Sequence, residues 1–559
     1  MSNNKYILSL VCSLLLLGTL SCKKELNVGN PNLPTVDGNV NSESGLISLA
    51  TGGVYINGFK TGDDWLGDSY FSLPFGYMEL LGDVVGAQAS NQLVSTMSIP
   101  EYFTLDDGTK TETGIANVSL MRANNTRAQT GSGYNPTYYQ WLNMYAMNNT
   151  LNQVLSLVDG ISFSGDATTR SNTIKAWCYW WKGYAYSQIG SLYYSGLRVD
   201  TFGSTTNRYL VKDSIIALSD EFLNKAADLL KTGISSSSDY SAVLTQLIPS
   251  FCQVGHGGVL TTDMWVRNIN TLLARNLLVN KLAPFVNKNL SASITTTSTT
   301  PMTTADWNEV LTLATAGIQN GDYVFTGRSA AANGFFTASG GTASVLTTGV
   351  NTSTTFRLGE RFMQNFHDGD KRVANNFDTA TKYLDDLSFG TRWSIVDGGN
   401  GTSGVYVYGS TAIGGYEQYI AGSYEENALM LAEANLRLGN TDAGLAYVDA
   451  VRAYQGAGVS TVTGTGLSAV NAMQELVMER RVSLVFRGLS FYDMRRWGWS
   501  YDIGSGGGSY GNNFLTKAGK LNKNVTINFN FMDYWDVPAD EADLNPGGEG
   551  SAETKNPNY

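Results

Sequence analysis

Residues 486–498 read Phe-Arg-Gly-Leu-Ser-Phe-Tyr-Asp-Met-Arg-Arg-Trp-Gly, and we call them the signature segment. The segment sets charges among aromatic and apolar residues, directly after an apolar helical pattern that carries further charges. A charge buried among apolar groups is costly unless a partner of opposite sign lies beside it. The sequence therefore predicts an ion-pair network that fixes the last helix of the scaffold. Its predicted members are Glu479, Arg480, Asp493, Arg495 and Arg496.

The same helical pattern recurs through most of the chain before the signature segment. Apolar residues return at three- and four-residue spacing, which places them on one face of a helix. The predicted helices cover residues 139–158, 174–192, 215–230, 264–282, 307–318, 424–438, 443–454 and 469–486. Six tryptophans on their apolar faces are predicted to be core, namely Trp141, Trp177, Trp180, Trp181, Trp265 and Trp307.

A very short turn separates two of these helices. The first ends at Leu438-Gly439, and Ala443 opens the second. Glycine adopts the left-handed conformation that ends many helices, and the small residues of this pair allow a close approach. The arrangement is typical of a tetratricopeptide-type hairpin. Because the other spacings are irregular, we predict several stacked helix pairs rather than a regular solenoid.

Long polar stretches lie between the predicted helices. They cover residues 235–241, 291–304, 337–355 and 504–511, and a region at 61–133 has little periodicity. Loops of this length are usually functional or disordered. The predicted fold class is therefore mainly α, with a helical scaffold that carries long irregular loops.

The composition excludes some classes of function. The chain has 559 residues, and 37 Lys and Arg stand against 48 Asp and Glu, which gives a formal net charge of -11. Proteins that bind nucleic acid neutralise phosphates with clustered basic residues, so no nucleic-acid partner is expected. Only His256 and His367 are available for a histidine-based metal site or a Ser/His/Asp triad.

The N-terminal residues predict export. Lys5 precedes an apolar run at 6–20 that is too short to span a bilayer comfortably and that stops at Ser21-Cys22. The pattern resembles a bacterial lipoprotein signal, although Thr19 stands where leucine is usual. We predict that residues 1–21 are a signal peptide and that Cys22 carries lipid. The alternative is ordinary cleavage that leaves a free N-terminal cysteine.

The remaining residues, 22–559, are predicted to form a single large domain. No later stretch of the sequence has 18 continuous apolar residues. Cys178 and Cys252 form either one disulfide or two buried thiols, and the sequence leaves both alternatives open.

Motifs that resemble catalytic or metal sites are weak in this chain. Residues 507–511 fit the G-x-S-x-G pattern, but their flanks are glycine and serine, and both histidines come earlier than a hydrolase requires. Residues 464–469 fit G-x-G-x-x-A without a suitably placed acidic residue after a second strand. Residues 106–108 and 367–370 favour turns over a calcium loop. We predict no catalytic residue, metal or cofactor, and a structural calcium stays an open alternative.

Several segments of the C-terminal third occur in the order of a known family. They include Ala432-Glu433-Ala434, Leu438-Gly439, Glu479-Arg480-Arg481, the signature segment, Val537-Pro538, Asn545-Pro546 and Asn556-Pro557-Asn558-Tyr559. This order closely resembles the SusD/RagB family of nutrient-binding outer-membrane lipoproteins from the Bacteroidota. The resemblance divides the domain into a front part at 22–300, with the loop-rich region 61–133, and a back part at 301–559 that carries the signature. Arg487 and Ser490 stand where the family usually has Glu and Arg, which predicts a lost structural contact.

The resemblance implies a cell-surface protein that is not an enzyme. It implies a SusD-like fold, a lipid anchor in the outer membrane through Cys22, and capture of an oligosaccharide or polysaccharide. It also implies delivery of that ligand to a TonB-dependent, SusC-like transporter. Peptide cargo is one alternative, and a secreted glycoside hydrolase is another.

Aromatic residues on the predicted loops are the candidates for glycan contact. Sugar rings present apolar C–H faces that stack on aromatic rings, and each such contact contributes on the order of 1 to 3 kcal/mol. The alternative for each residue is packing under its own loop. The predicted ligand-binding residues stand in polar or glycine-rich settings without helical periodicity: Trp65, Tyr70, Tyr102, Phe336, Trp393 and Tyr406.

Overall fold

The structure is a computed structural model, and it describes most of the chain after residue 39. The described residues are 40–59, 72–87, 96–126, 136–296, 298–327, 356–379, 382–387, 390–410 and 417–559. The predicted signal peptide, Cys22, Trp65, Tyr70 and Phe336 lie outside these ranges, as does the predicted loop 337–355.

The described chain is mainly helical, as predicted, and polar side chains fix where many helices begin. Thr303 and Asp306 form a capping box, and Ser423 and Ser468 accept from backbone N–H groups three residues later. The helices are α1 Glu43–Phe59, α2 Ser72–Leu81, α3 Asn117–Ala123, α4 Pro136–Leu157, α5 Ala167–Leu192, α6 Lys212–Thr232, α7 Ser237–Leu247, α8 Thr262–Val279, α9 Thr304–Thr315, α10 Glu360–Met363, α11 Lys371–Asn376, α12 Tyr424–Arg437, α13 Thr441–Tyr454, α14 Ala469–Ser483, α15 Ser490–Trp497 and α16 Ala539–Leu544.

Stacked helix pairs form the scaffold. Helix α5 packs between α4 and α6, α8 joins α6 to α9, and α12 joins α9 to α13. The main core is one cluster of buried residues that extends from Leu46 to Val537. All six tryptophans predicted to be core are buried, and Trp177, Trp180, Trp181 and Trp265 are fully so. The core therefore joins the front and back parts of the chain. The single-domain interpretation of residues 22–559 stays a prediction.

Helices α12 and α13 form the predicted close pair. Gly439 has a φ of +86°, the left-handed conformation that ends α12. A Cβ atom on Gly444 would stand 2.7 Å from the Leu436 side chain, so only glycine permits this approach. The predicted loop at 235–241 is wrong, because Ser236 caps α7 by accepting from the Asp239 backbone N–H. Its serines and aspartate mark a helix start rather than a loop.

Buried ion pairs join α14 and α15 to the rest of the scaffold, which confirms the predicted network in four of its five members. Arg496 donates to both oxygens of Glu433 at 2.7 and 2.8 Å and to Asp493 at 2.7 Å. Arg480 also donates to Asp493. Glu479 accepts from Arg372 at 2.7 Å.

The fifth predicted member, Arg495, has a different role. Its guanidinium donates to the backbone carbonyls of Ser191, Val279 and Asp533 at 2.7 to 2.8 Å. Two of these carbonyls lie in the last turns of α5 and α8, where no intrahelical donor is available. Arg495 therefore caps two helices instead of pairing with a carboxylate.

The pKa values of the network carboxylates reflect these partners. Burial alone would raise the pKa of Glu433, but Arg496 outweighs burial and lowers the pKa to about 2. Glu479 behaves in the same way, since Arg372 and Arg452 overcome burial and lower its pKa to about 2. Both groups are charged in the folded chain at neutral pH.

The contact predicted to be lost at Arg487 and Ser490 is in fact replaced by two others. Arg487 donates to the buried Glu425 at 2.8 Å and to the hydroxyl of Ser423 at 2.7 Å. Ser490 donates to Glu79, which also accepts from the Gly488 backbone N–H at 3.0 Å. Burial raises the pKa of Glu79 to about 7, although Ser490 lowers it in part.

The raised pKa of Glu79 predicts that the free energy of unfolding depends on pH. The pKa of Glu79 is higher in the folded chain than its ordinary value of 4.5. The protonated side chain therefore stabilises the fold fully below pH 4.5, and this stabilisation is lost as the pH rises through about 7. We expect Glu79→Gln to raise the free energy of unfolding by about 2 kcal/mol at pH 8 and to change it little at pH 5. Urea unfolding at both pH values measures this. The control is the exposed Glu549→Gln, and equal effects at the two pH values would contradict the assignment.

The largest sheet among the described residues is antiparallel and has four strands in the order β11-β12-β2-β3. Thr104 of β2 pairs with Thr526 of β12, and Phe103 stacks on Phe514 at 4.6 Å. The predicted loop at 504–511 is wrong in its last part, since β11 begins at Ser509. The strands are β1 Val85–Ala87, β2 Tyr102–Thr104, β3 Lys110–Glu112, β4 Ser195–Leu197, β5 Tyr209–Val211, β6 Thr326–Gly327, β7 Phe356–Leu358, β8 Phe377–Asp378, β9 Ser394–Ile395, β10 Gln418–Tyr419, β11 Ser509–Leu515 and β12 Leu521–Asn528.

Cys178 and Cys252 are free and buried, so of the two alternatives the structure has two thiols. Burial raises the pKa of the Cys178 thiol. In the part of the chain that the structure describes, no helix is both long and apolar enough to cross a bilayer.

Candidate functional site

A polar cleft of about 240 Å³ opens where α14, the start of β11 and a turn at residues 286–289 meet. We call it the Trp499 cleft. It combines aromatic rings with side-chain amides. Its lining includes Phe285, Asn287, Lys288, Gln364, Asn365, Gln474, Val477, Met478, Trp499, Tyr510, Gly511 and Asn524.

Two half-buried aromatic rings, Trp499 and Tyr510, contribute to the apolar part of the cleft. Helix α15 ends at Gly498, whose φ of +90° turns the chain so that Trp499 leaves the helix axis. Trp499 Nε1 donates to the Phe285 carbonyl at 3.2 Å, and its ring lies 5.3 Å from that of Trp497. The Tyr510 hydroxyl donates to the Gly507 carbonyl at 3.3 Å. Both rings are therefore held in place before any ligand binds.

Side-chain amides surround these rings. Gln364 accepts from the Asn513 backbone N–H at 2.7 Å, which fixes β11 against α10. Asn365 donates to the Arg361 carbonyl at 2.8 Å, so its oxygen is left as an acceptor. Within the described chain, the amides of Gln474 and Asn524 make no side-chain hydrogen bond. The cleft thus offers donors and acceptors to ligand hydroxyls.

A strained turn forms one edge of the cleft. Asn287 and Lys288 have φ values of +50° and +60°, and the Asn289 backbone N–H donates to the Val286 carbonyl at 2.9 Å. Positive φ at both central residues is the geometry of a type I′ turn, in which asparagine is favoured and lysine is not. The turn holds the exposed Lys288 side chain at the mouth of the cleft.

A smaller compartment of about 40 Å³ continues the cleft inward. It shares Gln364, Asn365, Trp499 and Tyr510 with the outer part and adds charged groups. Arg361 donates to both oxygens of Asp83 at 2.7 and 2.8 Å. Arg481 donates to the backbone carbonyls of Gly82 and Asp83 at 3.2 Å.

The three predicted site residues that the structure describes lie in separate surroundings. Tyr102 on β2 has Lys110 Nζ 3.8 Å from its ring centre. Burial raises the pKa of Tyr102, and Asp502 contributes to the increase. As a ligand contact, Tyr102 stays a prediction.

Trp393 and Tyr406 lie against the core. Trp393 is half-buried and packs on the main core cluster. The ring of Tyr406 lies 5.3 Å from that of Tyr408, and its hydroxyl accepts from Arg487 at 3.4 Å. Both residues are thus packed beneath the loops that carry them, which is the alternative given in the sequence analysis. Their part in binding is untested, as is that of Trp65, Tyr70 and Phe336.

The sequence analysis missed Trp499 and Tyr510. The one available signal for Trp499 was its position directly after a helix-ending glycine. Tyr510 was placed in a weak hydrolase motif, but Ser509 of that motif is buried and donates to Asn512 at 3.1 Å in a strand. The motif is therefore not a nucleophile elbow, which needs a strand before the serine and a helix after it. Among the described residues, no three His, Cys, Asp or Glu side chains are grouped to hold a metal ion.

Comparison with known proteins agrees with this fold. Residues 353–559 match the model of the SusD family. The C-terminal part of the chain therefore resembles that family. A putative sugar binding protein from Bacteroides vulgatus ATCC 8482 has a similar structure, with 16% identity, a TM-score of 0.55, and coverage of 93% of this chain and 99% of the other. A SusD superfamily protein from Parabacteroides distasonis ATCC 8503 has 13% identity, a TM-score of 0.55, and coverage of 92% and 98%.

Another similar structure was solved with xylogluco-oligosaccharide. It has 13% identity, a TM-score of 0.52, and coverage of 91% of this chain and 99% of the other. No curated protein matches the chain. The resemblance to the SusD family is thus confirmed, and at these identities the structural matches establish the fold alone.

Proposed function

We propose that this SusD-like chain is a glycan-binding protein without catalytic activity and that an oligosaccharide binds in the Trp499 cleft. The observation that carries the proposal is the pairing of two fixed aromatic rings with five side-chain amides around one cavity. A sugar ring would stack on Trp499 or Tyr510, and its hydroxyls would exchange hydrogen bonds with the amides. The similar structure solved with xylogluco-oligosaccharide supports a sugar as the ligand class.

The wider role follows from the predicted export signal. We propose that Cys22 anchors the protein by lipid to the outer membrane at the cell surface. There it would capture oligosaccharide or polysaccharide and deliver it to a SusC-like, TonB-dependent transporter. Peptide cargo and a secreted glycoside hydrolase remain the competing functions.

Truncation of Tyr510 tests the cleft. We expect Tyr510→Ala to weaken binding of the preferred oligosaccharide about tenfold, because an aromatic contact contributes about 1.5 kcal/mol. Calorimetry against a panel of oligosaccharides first identifies a ligand and then measures the change. The control is Tyr323→Ala, since Tyr323 is 42% exposed and lies outside the cleft. Unchanged affinity in Tyr510→Ala would reject this cleft, and binding of peptides alone would reject the glycan function.

A further inference from the structure

The charges that line the Trp499 cleft have the opposite sign to the chain as a whole. The outer and inner compartments present three cations, Lys288, Arg361 and Arg481, and one carboxylate, Asp83. The chain itself carries a formal net charge of -11. A basic cavity in an acidic protein attracts anions locally and repels them elsewhere.

The single carboxylate in the lining is already occupied. Arg361 donates to both oxygens of Asp83, and both side chains are buried. Asp106, which lies beside the rim, is likewise engaged, because it accepts from the backbone N–H groups of Lys523 and Asn524. Among the lining residues, this leaves Lys288 and Arg481 as the cations without a carboxylate hydrogen-bond partner.

Arg481 has neutral hydrogen-bond partners. Its guanidinium donates to the Gly82 and Asp83 carbonyls and stacks 5.5 Å from the Trp499 ring centre. Two further carboxylates lie near it, but Asp493 is shared by Arg480 and Arg496. The other is Glu79, which accepts from the Gly488 backbone N–H and the Ser490 hydroxyl rather than from Arg481. Among the described residues, Arg481 therefore has no carboxylate as a hydrogen-bond partner.

Lys288 supplies the second charge at the mouth. Its side chain is exposed, and it forms no salt bridge with the described residues. The left-handed backbone at Lys288 destabilises the fold by on the order of 1 kcal/mol relative to an ordinary backbone conformation. The strained turn keeps this lysine in the lining of the cleft, at its mouth.

We propose that the Trp499 cleft selects acidic oligosaccharides, with the carboxylate of a uronic acid residue held between Lys288 and Arg481 and its ring on Trp499. This inference rests on the proposed glycan function. A planar carboxylate suits a guanidinium because two oxygens can accept from one side chain. The amides then bind the hydroxyls that acidic and neutral sugars share.

Paired ligands that differ only in charge test the inference. Calorimetry compares uronic acid oligosaccharides, such as oligogalacturonide and oligoglucuronide, with their methyl esters at low and high salt. We expect the wild-type protein to bind at least one acid at least tenfold more tightly than its ester and to lose part of this preference in high salt. Equal affinity for acid and ester, or preference for neutral oligosaccharides, overturns the inference and leaves the glycan function intact.

The Lys288→Gln variant tests the effect of the Lys288 charge on binding apart from the effect of cavity shape. We expect this variant to weaken binding of the acid about threefold and to leave the ester unchanged, whereas Tyr510→Ala weakens both equally. Lys523→Gln, on the exposed side of β12, is the matched control and should change neither. An Lys288→Gln variant that retains the full preference overturns the inference. Absence of binding to any glycan rejects the proposed function itself.

Discussion

Replacing Arg496 by Gln should lower the free energy of unfolding by about 3 to 5 kcal/mol, the usual cost of removing one partner from a buried ion pair. Arg496 and Glu433 are both fully buried, and Arg496 holds both oxygens of this carboxylate. After the substitution the nearest cation to Glu433 is Arg437, at 3.6 Å. The expected loss of unfolding free energy is large because the charged Glu433 stays buried without its main partner. It is not large because the Arg496–Glu433 pair itself is strongly stabilising.

Urea unfolding at neutral pH measures this effect. Lys225→Gln is the control, because Lys225 and Glu221 form an exposed pair whose loss should cost less than about 1 kcal/mol. Equal losses in the two variants would show that the signature segment does not depend on buried charge.

Acid should destabilise the protein steeply, and the same network is the reason. The pKa values of Glu433 and Glu479 are about 2 in the folded chain, against an ordinary value of 4.5. Their pKa values are lowered on folding, so their contribution is complete above pH 4.5 and is lost as the pH falls towards 2. Each carboxylate contributes a slope of at most about 1.4 kcal/mol per pH unit, and this slope is approached only below pH 4.5. We therefore expect the two together to lose about 3 kcal/mol between pH 4.5 and 3.

Urea midpoints at several pH values between 5 and 3 would measure this slope. Arg496→Gln provides an internal check, because Glu433 then loses the partner that lowers its pKa. In this variant the dependence of the unfolding free energy on pH should decrease by the part that Glu433 contributes. Stability that stays constant from pH 5 to pH 3 would contradict the assignment.

The sequence predicted the scaffold because its signals are local. The tryptophans of α5 recur at helical spacing and are buried, and Gly439 ends α12 in the left-handed conformation. The ion-pair network was predicted from charges placed among apolar residues. The signature segment shows the limit of such reasoning, since Arg495 carries the same charge as Arg496 and caps helices instead.

The Trp499 cleft could not be predicted, because its residues come from distant parts of the chain. The turn at 286–289, Gln364, Gln474 and Tyr510 share no periodicity and meet only in the folded structure. The aromatic residues on predicted loops gave a stronger sequence signal, yet the structure places Tyr406 beneath Arg487 and packs Trp393 on the core. As ligand contacts, both residues stay predictions.

The pairing of β2 with β12 has a consequence for how the chain is made. Asp106 beside β2 accepts a hydrogen bond from Asn524 in β12, 418 residues later. At a synthesis rate of about 5 to 20 residues per second, the early strand waits on the order of 20 to 80 seconds for its partner. During that time its edge is open to strands of other nascent chains. Slower initiation of translation, which lowers the number of unfinished chains present together, should therefore increase the yield of folded protein.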